Sequence, residues 1–149
     1  MVRHVYERTK RAMAVNEVVV ATDDKRVMDA VAAFGGRALM TSPTCPTGTD
    51  RLAEGATQLG ADIYVNVQGD EPMIDPGLID AAVNALVRDQ DAAISTLSLP
   101  LRRLDEMMSD AVVKVVTDKW NHALYFSRSP IPHARTTERT LEGAARAAV

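Results

Sequence analysis

The feature that most constrains this fold is an alternation of short β-branched apolar runs with longer amphipathic segments. The run Val18–Ala21 favours a strand buried on both faces of a parallel sheet. Gly35 and Gly36 are expected to end the helix that follows, because glycine readily adopts the left-handed conformation at a helix end. Strand, helix, strand, helix, strand at this spacing is typical of right-handed crossovers around a parallel sheet. The predicted strands are Glu17–Thr22, about Arg37–Thr41 and Asp62–Val67, and the predicted helices are the segment capped by Asp23 and ending at about Phe34, Asp50–Leu59, and Leu78 to about Arg88.

The flanking segments follow other patterns. Met1–Ala14 favours a helix, and no strand with a phosphate-binding loop precedes it, so we expect a first strand to be missing. Ala92–Leu99 and Val112–Val116 are strand-like, and His122–Phe126 is expected to pair with the second of them in a hairpin. Glu138–Val149 is predicted to be either a helix or a frayed terminus.

Composition bounds the class of protein. A chain of 149 residues, 46% of them apolar, suits one domain, so residues 1–149 are expected to form a single partial domain. The net charge of -3, with both signs interspersed, argues against a nucleic-acid partner. Cys45 is the only cysteine, so no internal disulfide can form. No apolar run approaches the roughly 20 residues of a membrane span, and the start lacks the apolar core of a signal peptide, so we expect a cytoplasmic protein with no membrane partner.

The segment Gln68–Pro72 has the composition best suited to chemistry. It follows a predicted buried strand, where open α/β sheets place ligands. Gly69 lets the backbone approach a ligand closely, and the Asp70 carboxylate suits Mg²⁺, which prefers oxygen donors and keeps contact with substrate phosphates. The alternative is a turn whose acidic side chains are solvated or cap a helix.

Several separated motifs occur in the order of a known family. Val65–Pro72 resembles the diagnostic stretch of the 3-deoxy-manno-octulosonate cytidylyltransferases, also called CMP-Kdo synthetases. The resemblance extends from about Met1 to Pro132, and several motifs in the same order are more specific than one short match. The supporting stretches are Val18–Asp23, Thr47–Glu54, Val113–Val116 and Ala123–Pro132.

This resemblance implies an α/β, Rossmann-like nucleotide-diphospho-sugar transferase fold with a mostly parallel sheet, of which the first strand and the C-terminal part are missing. It implies transfer of CMP from CTP to the acid sugar 3-deoxy-D-manno-octulosonate (Kdo), which gives CMP-Kdo and pyrophosphate for lipopolysaccharide biosynthesis. Mg²⁺ is the implied cofactor. The intact enzyme is expected to be a homodimer.

The resemblance also implies roles for residues at the centre of the chain. Asp70 matches the family's metal-binding aspartate and is expected to be catalytic, with Gln68 beside it. Gly69 is expected to lie against the nucleotide. The remaining residues of the implied nucleotide site are Thr47, Gly48, Thr49 and Arg51.

Two further residues are implied to bind the sugar. Ser127 and Arg128 lie where the family's sugar-site strand ends, and the Arg128 guanidinium is expected to hold the Kdo carboxylate in a forked pair. The alternative for Arg128 is a solvated charge at a strand end. For Arg51 it is a surface charge on a helix.

The chain also departs from the family pattern. The stretch Arg-x-x-Ser-x-Arg-Leu-Pro-Gly-Lys-Pro, which holds the triphosphate in the family, is not found here, and the resemblance ends after about Ala134. We therefore expect the 149-residue chain itself to be inactive. Two alternatives stay open, namely a partly folded fragment that binds ligand weakly and a cytidylyltransferase for another acid sugar such as sialic acid.

Overall fold

The computed structural model describes residues 1–132, which belong to two compact units. Unit 1 is Met1–Leu97, and unit 2 begins at Ser98. The predicted helix Glu138–Val149 lies outside the described residues. The expectation of a single domain over residues 1–149 stays a prediction, because unit 2 is described only in part.

A parallel strand pair joined by a helix forms the centre of unit 1. Val19 pairs with Arg37 and Thr22 pairs with Met40, and the Thr41 amide extends the pairing by donating to the Thr22 carbonyl at 2.9 Å. This strand, helix, parallel strand unit is the predicted crossover, and the α/β class is confirmed. The elements of unit 1 are α1 (Val2–Thr9), β1 (Val19–Thr22), α2 (Lys25–Ala33), β2 (Arg37–Met40), α3 (Gly48–Ala56) and α4 (Pro76–Arg88).

The crossover helix α2 ends as its glycines predict. Gly35 has a φ of 75°, a left-handed conformation that glycine adopts without strain. A methyl group on Gly36 would lie 2.5 Å from the Phe34 ring and 2.7 Å from the Val31 side chain, so a larger residue would require these side chains to move. Val31 is completely buried and packs under this turn. The glycine pair therefore both ends α2 and lets the chain turn tightly into β2.

The N-terminal cap of α2 is Asp24, so the prediction of Asp23 is wrong. The Asp24 carboxylate accepts a hydrogen bond from the Arg26 amide at 2.8 Å. The side chain and amide of Arg26 together lower the pKa of Asp24 to about 2. Only one of the two adjacent aspartates can cap the helix, and the extended backbone places Asp24 there. The Asp23 carboxylate is therefore available for a different contact.

Helix α1 is shorter than the predicted Met1–Ala14, and polar contacts join its end to the region of α4. The Arg8 guanidinium donates to the Ile74 carbonyl at 2.6 Å, and the Ala14 amide donates to the Asp80 carboxylate at 2.7 Å. These contacts connect residues far apart in the sequence. They fix the loop that leads into α4 as well as α4 itself.

The predicted strands Asp62–Val67 and Ala92–Leu99 are wrong, because neither forms a ladder with any of residues 1–132. The side chains of the first segment still alternate in burial, with Val65 and Val67 half-buried and Asn66 exposed. The side chains thus alternate as in a strand, although no other strand among residues 1–132 is hydrogen-bonded to this segment. A strand needs such a neighbour, and local composition does not supply one.

Unit 2 contains the predicted hairpin. Lys114 pairs with Ser127, and the two strands run antiparallel. At the turn, the Asp118 carboxylate accepts hydrogen bonds from the Trp120 and His122 amides at 2.9 and 2.8 Å. A short helix that the sequence did not predict precedes the hairpin. The elements of unit 2 are α5 (Leu104–Met108), β3 (Lys114–Thr117) and β4 (Ala123–Ser127).

A search of residues 1–132 for a helix long and apolar enough to cross a membrane finds none.

The burial of Val31 can be tested by truncation. Val31→Ala is expected to lower the free energy of unfolding by about 1–3 kcal/mol, because it removes buried methyl groups and leaves a cavity under Gly36. Val87→Ala on α4 is the matched control, since that helical valine is 56% exposed and its loss should cost less than about 0.5 kcal/mol. Urea unfolding followed by far-ultraviolet circular dichroism measures both variants. Equal losses in the two variants would contradict the assigned core.

Candidate functional site

Two of the predicted site segments lie against each other in unit 1. A methyl group built on Gly48, the first residue of α3, would lie 3.6 Å from Oε1 and 3.7 Å from Nε2 of Gln68. The turn after Gln68 is closed by a hydrogen bond from the Glu71 amide to the Gln68 carbonyl at 3.3 Å. The N-terminus of α3 and the loop that carries Asp70 therefore form one surface.

The N-terminus of α3 presents backbone donors at this surface. Thr47 caps the helix, because its hydroxyl accepts from the Asp50 amide at 3.2 Å and also donates to the Asp50 carboxylate. The Gly48 and Thr49 amides stand in the first turn, where an α-helix provides no internal acceptor. Such amides, together with the positive end of the helix dipole, attract anions such as phosphate. Thr47 thus contributes mainly by shaping the helix start.

Arg51 holds the same end of α3 to the sheet. Its Nη1 donates to the Thr41 hydroxyl at 2.6 Å and to the Ser42 carbonyl at 3.4 Å, and its Nη2 lies 3.1 Å from the Asp23 carboxylate. The Arg51 side chain is 20% exposed. The alternative of a solvated surface charge is wrong, because both terminal nitrogens have partners in the protein.

Glu54, one turn further along α3, holds the loop before the helix. Its carboxylate accepts from the Ser42 amide at 2.9 Å and from the Cys45 thiol at 3.1 Å. The pKa of the Cys45 thiol is raised above its ordinary value, first by this hydrogen bond and then by desolvation and the charge of Glu54. Glu54 and Asp23 are not among the site residues that the sequence predicts. The three-residue spacing of Arg51 and Glu54, which places both on one helix face, is the sequence signal for Glu54.

The loop of Asp70 leaves its carboxylate available. Asp70 is exposed, and its carboxylate makes no hydrogen bond or ion pair with any residue of the described range. The cap of α4 is Asp75, which accepts from the Gly77 amide at 2.8 Å, so Asp70 has no capping role. The Gln68 side-chain amide donates to the Asn66 side chain at 3.3 Å, which orients it next to α3. Gly69 is exposed between them.

Ser127 and Arg128 belong to unit 2. Arg128 Nη1 donates to the Asp110 carbonyl at 2.7 Å, and Arg128 as a whole is exposed. The Arg128 carbonyl accepts from the Lys114 ammonium, which is buried and also donates to the Ser109 carbonyl at 2.6 Å. The alternative of a solvated charge at a strand end stays open, because Arg128 is exposed although Nη1 meets a main-chain carbonyl. Its position at the end of β4 is held by two contacts, one from its own carbonyl to Lys114 and one from its side chain to the Asp110 carbonyl.

Comparison with known proteins decides the family. The sequence profile described as Cytidylyltransferase matches residues 1–146. The chain belongs to this cytidylyltransferase family. The resemblance seen in the sequence is thereby confirmed, and so is membership in a family of nucleotidyltransferases.

Two curated relatives of this cytidylyltransferase have the same name. The 3-deoxy-manno-octulosonate cytidylyltransferases of Geotalea daltonii and Geobacter metallireducens are each 58% identical to it over 135 residues, which are 91% of this chain and 53% of the relative. A solved structure of CMP:2-keto-3-deoxy-manno-octonic acid synthetase complexed with CTP is 43% identical, with a TM-score of 0.80, and the match covers 93% of this chain and 57% of that one. The predicted fold class is confirmed by this similarity. The chain spans about half the length of the curated relatives it matches.

The residues of the cytidylyltransferase fit Mg²⁺ as part of a donor set. Within residues 1–132, no three His, Cys, Asp or Glu side chains converge on a point. Mg²⁺ commonly takes only one or two protein carboxylates and completes its shell with substrate phosphates and water. The exposed carboxylate of Asp70, without a partner among those residues, suits that use beside the N-terminus of α3.

The raised pKa of Cys45 gives a test of the Glu54 contact. A raised pKa means less thiolate at a given pH, so alkylation of Cys45 by iodoacetamide should reach half its maximal rate above the pH of about 8.5 typical of a free thiol. Glu54→Gln keeps an oxygen acceptor for the Ser42 amide but removes the charge, and it should move this midpoint to lower pH. Glu7→Gln on α1 is the control and should leave the midpoint unchanged. A midpoint that does not differ between wild type and Glu54→Gln would contradict the contact.

Proposed function

We propose that this chain is part of an enzyme that transfers CMP from CTP to Kdo and releases pyrophosphate. The observation that carries the proposal is the closeness of Gly48 to the Gln68 side chain, which brings the N-terminus of α3 near the loop of Asp70, whose carboxylate has no partner among residues 1–132. It is supported by relatives that are named for this activity and by the similar synthetase that was solved in complex with CTP.

The reaction is an in-line displacement at the α-phosphorus of CTP. The anomeric hydroxyl oxygen of Kdo forms the new bond to phosphorus, the bond to the bridging oxygen of pyrophosphate breaks, and the hydroxyl proton is lost to solvent or a base. The work of the protein is to hold two anionic substrates in line, since proximity and fixed dipoles account for much of such catalysis. Both substrates carry negative charge, so their approach needs electrostatic compensation.

Residues of unit 1 have defined roles in this scheme. The Gly48 and Thr49 amides bind phosphate oxygens, and the exposed Gln68 amide donates to the nucleotide across Gly69. Asp70 would hold Mg²⁺, which would offset the charge of the phosphates and of the leaving pyrophosphate. Arg51 supports this nucleotide site by holding α3 in place, because its terminal nitrogens are bonded to protein oxygens.

Residues of unit 2 bind the sugar in the same proposal. The Arg128 guanidinium has donors beyond the one that meets Asp110, and a planar fork of this kind matches the carboxylate of Kdo. The neighbouring Ser127 supplies a hydroxyl for a sugar oxygen. A cytoplasmic homodimer that feeds lipopolysaccharide biosynthesis is the wider setting we propose. The net charge of -3 argues against nucleic acid as a partner.

The role of Asp70 is tested by Asp70→Asn, which keeps the shape of the side chain and removes its charge. In a protein extended to the length of the relatives, pyrophosphate release from CTP, Kdo and Mg²⁺ should fall at least about 100-fold, because the charged metal ligand is lost. Asp91→Asn, at an exposed position after α4, is the matched control and should keep wild-type turnover. Unchanged turnover of Asp70→Asn, with circular dichroism showing an intact fold, would refute the role.

The same assay tests which sugar is the substrate and whether the 149-residue chain is active by itself. Kdo should support turnover in preference to sialic acid when the two compete, and the opposite preference would show a cytidylyltransferase for a different acid sugar. The 149-residue chain alone is expected to release no pyrophosphate. Turnover close to that of the extended protein would overturn this expectation.

A further inference from the structure

Three charged side chains surround the start of α3, and we call Asp23, Arg51 and Glu54 the α3 clasp. Arg51 and Glu54 lie on one face of α3, and both contact the chain that leaves β2. Asp23 follows β1 directly and meets Arg51 through its carboxylate at 3.1 Å. The clasp therefore joins one helix to the carboxyl ends of two neighbouring parallel strands.

The clasp is more enclosed than an ordinary surface ion pair. The Arg51 side chain is 20% exposed and that of Asp23 is 38% exposed, whereas the surface pair Lys25–Asp29 has exposures of 80% and 64%. The Thr41 hydroxyl that Arg51 contacts is on a buried residue. Partial burial strengthens a charge-assisted hydrogen bond and reduces its screening by salt.

The contacts of Arg51 link the strand ends to the position of the α3 N-terminus. Arg51 Nη1 donates to Thr41 and to the Ser42 carbonyl, and Nη2 meets Asp23, so both terminal nitrogens contact protein oxygens. Thr47 and Gly48 lie one turn before Arg51 on the same helix, and Gly48 lies against Gln68. A change in the seating of α3 on the strand ends would therefore shift the N-terminal amides relative to Gln68.

We propose that Asp23 is a positioning residue that acts through Arg51 to hold Thr47–Thr49 where the nucleotide phosphates bind. The proposal rests on the function proposed above and extends it to a residue outside the predicted site. Asp23 is free for this role because the adjacent Asp24 caps α2. The carboxylate of Asp23 orients the guanidinium, and the guanidinium orients the helix.

The affinity for CTP with Mg²⁺ measures this role. Asp23→Asn is expected to weaken binding of CTP in calorimetry by about three- to tenfold, the size of one partly exposed ion pair. Asp23→Glu keeps the charge and should restore affinity to within about twofold. Asp29→Asn removes a carboxylate from the exposed pair on α2 and is the matched control, with affinity unchanged. If Asp23→Asn lowers the free energy of unfolding but leaves the affinity of the folded protein unchanged, Asp23 is only structural and the proposal fails.

A double variant separates positioning from direct contact. In the Arg51→Met background, Asp23→Asn should weaken CTP binding no further, because the path from Asp23 to the helix is already broken. If the loss in that background equals the loss in the wild-type background, Asp23 meets the nucleotide or its metal directly, and the proposal is overturned.

A measurement without nucleotide keeps this inference separate from the proposed function. In ¹H–¹⁵N spectra of the nucleotide-free protein, Asp23→Asn should shift the Gly48 amide and the Gln68 side-chain amide, and Asp29→Asn should not. If these resonances do not move in Asp23→Asn, the proposed positioning role of Asp23 is wrong. If these resonances shift while the wild-type protein binds no CTP, the clasp stands as the device that seats α3, and it is the proposed function that fails.

Discussion

The Arg51 guanidinium meets oxygens from three parts of unit 1, namely Thr41 after β2, Ser42 in the loop that follows, and Asp23 after β1. The site depends on this interaction because parallel strands place their carboxyl ends side by side but do not by themselves seat the next helix. A partly buried guanidinium, with its rigid fork of donors, fixes the direction of α3. The exposed N-terminal end of that helix then lies near the Gln68 side chain.

Unit 2 uses a buried cation in a similar way. Lys114 is 2% exposed, and its ammonium donates to the carbonyls of Ser109, Val112 and Arg128. A buried ammonium is costly unless its hydrogens are satisfied, and three carbonyl partners satisfy all three. The main chain at the end of β4 is thereby held, so that Arg128 is presented from a fixed position. In each unit, a cation bonded to protein oxygens organises the residues expected to meet an anionic substrate.

The sequence was informative where local chemistry decides the structure. Gly35 ends α2 because its left-handed φ is a local requirement, and the glycine and proline content around Asp70 correctly marks an exposed loop. It was uninformative where the outcome depends on partners. The side chains of Asp62–Val67 alternate as in a strand, but a hydrogen-bonded ladder also needs a neighbouring strand. The choice of Asp24 rather than Asp23 as the cap of α2 depends on the backbone conformation there. Contacts of Arg51 with two strand ends are tertiary, and no local pattern encodes them.

The central claim is that the N-terminus of α3 and the loop of Asp70 form one nucleotide site. Titration of the ¹⁵N-labelled protein with CTP and Mg²⁺ tests it most directly, with the amides of Gly48, Thr49, Gly69 and Asp70 as reporters. The account predicts that both segments shift together along one binding curve, and that Mg²⁺ increases the response at Asp70. A response confined to one segment, or to residues outside both, would contradict it.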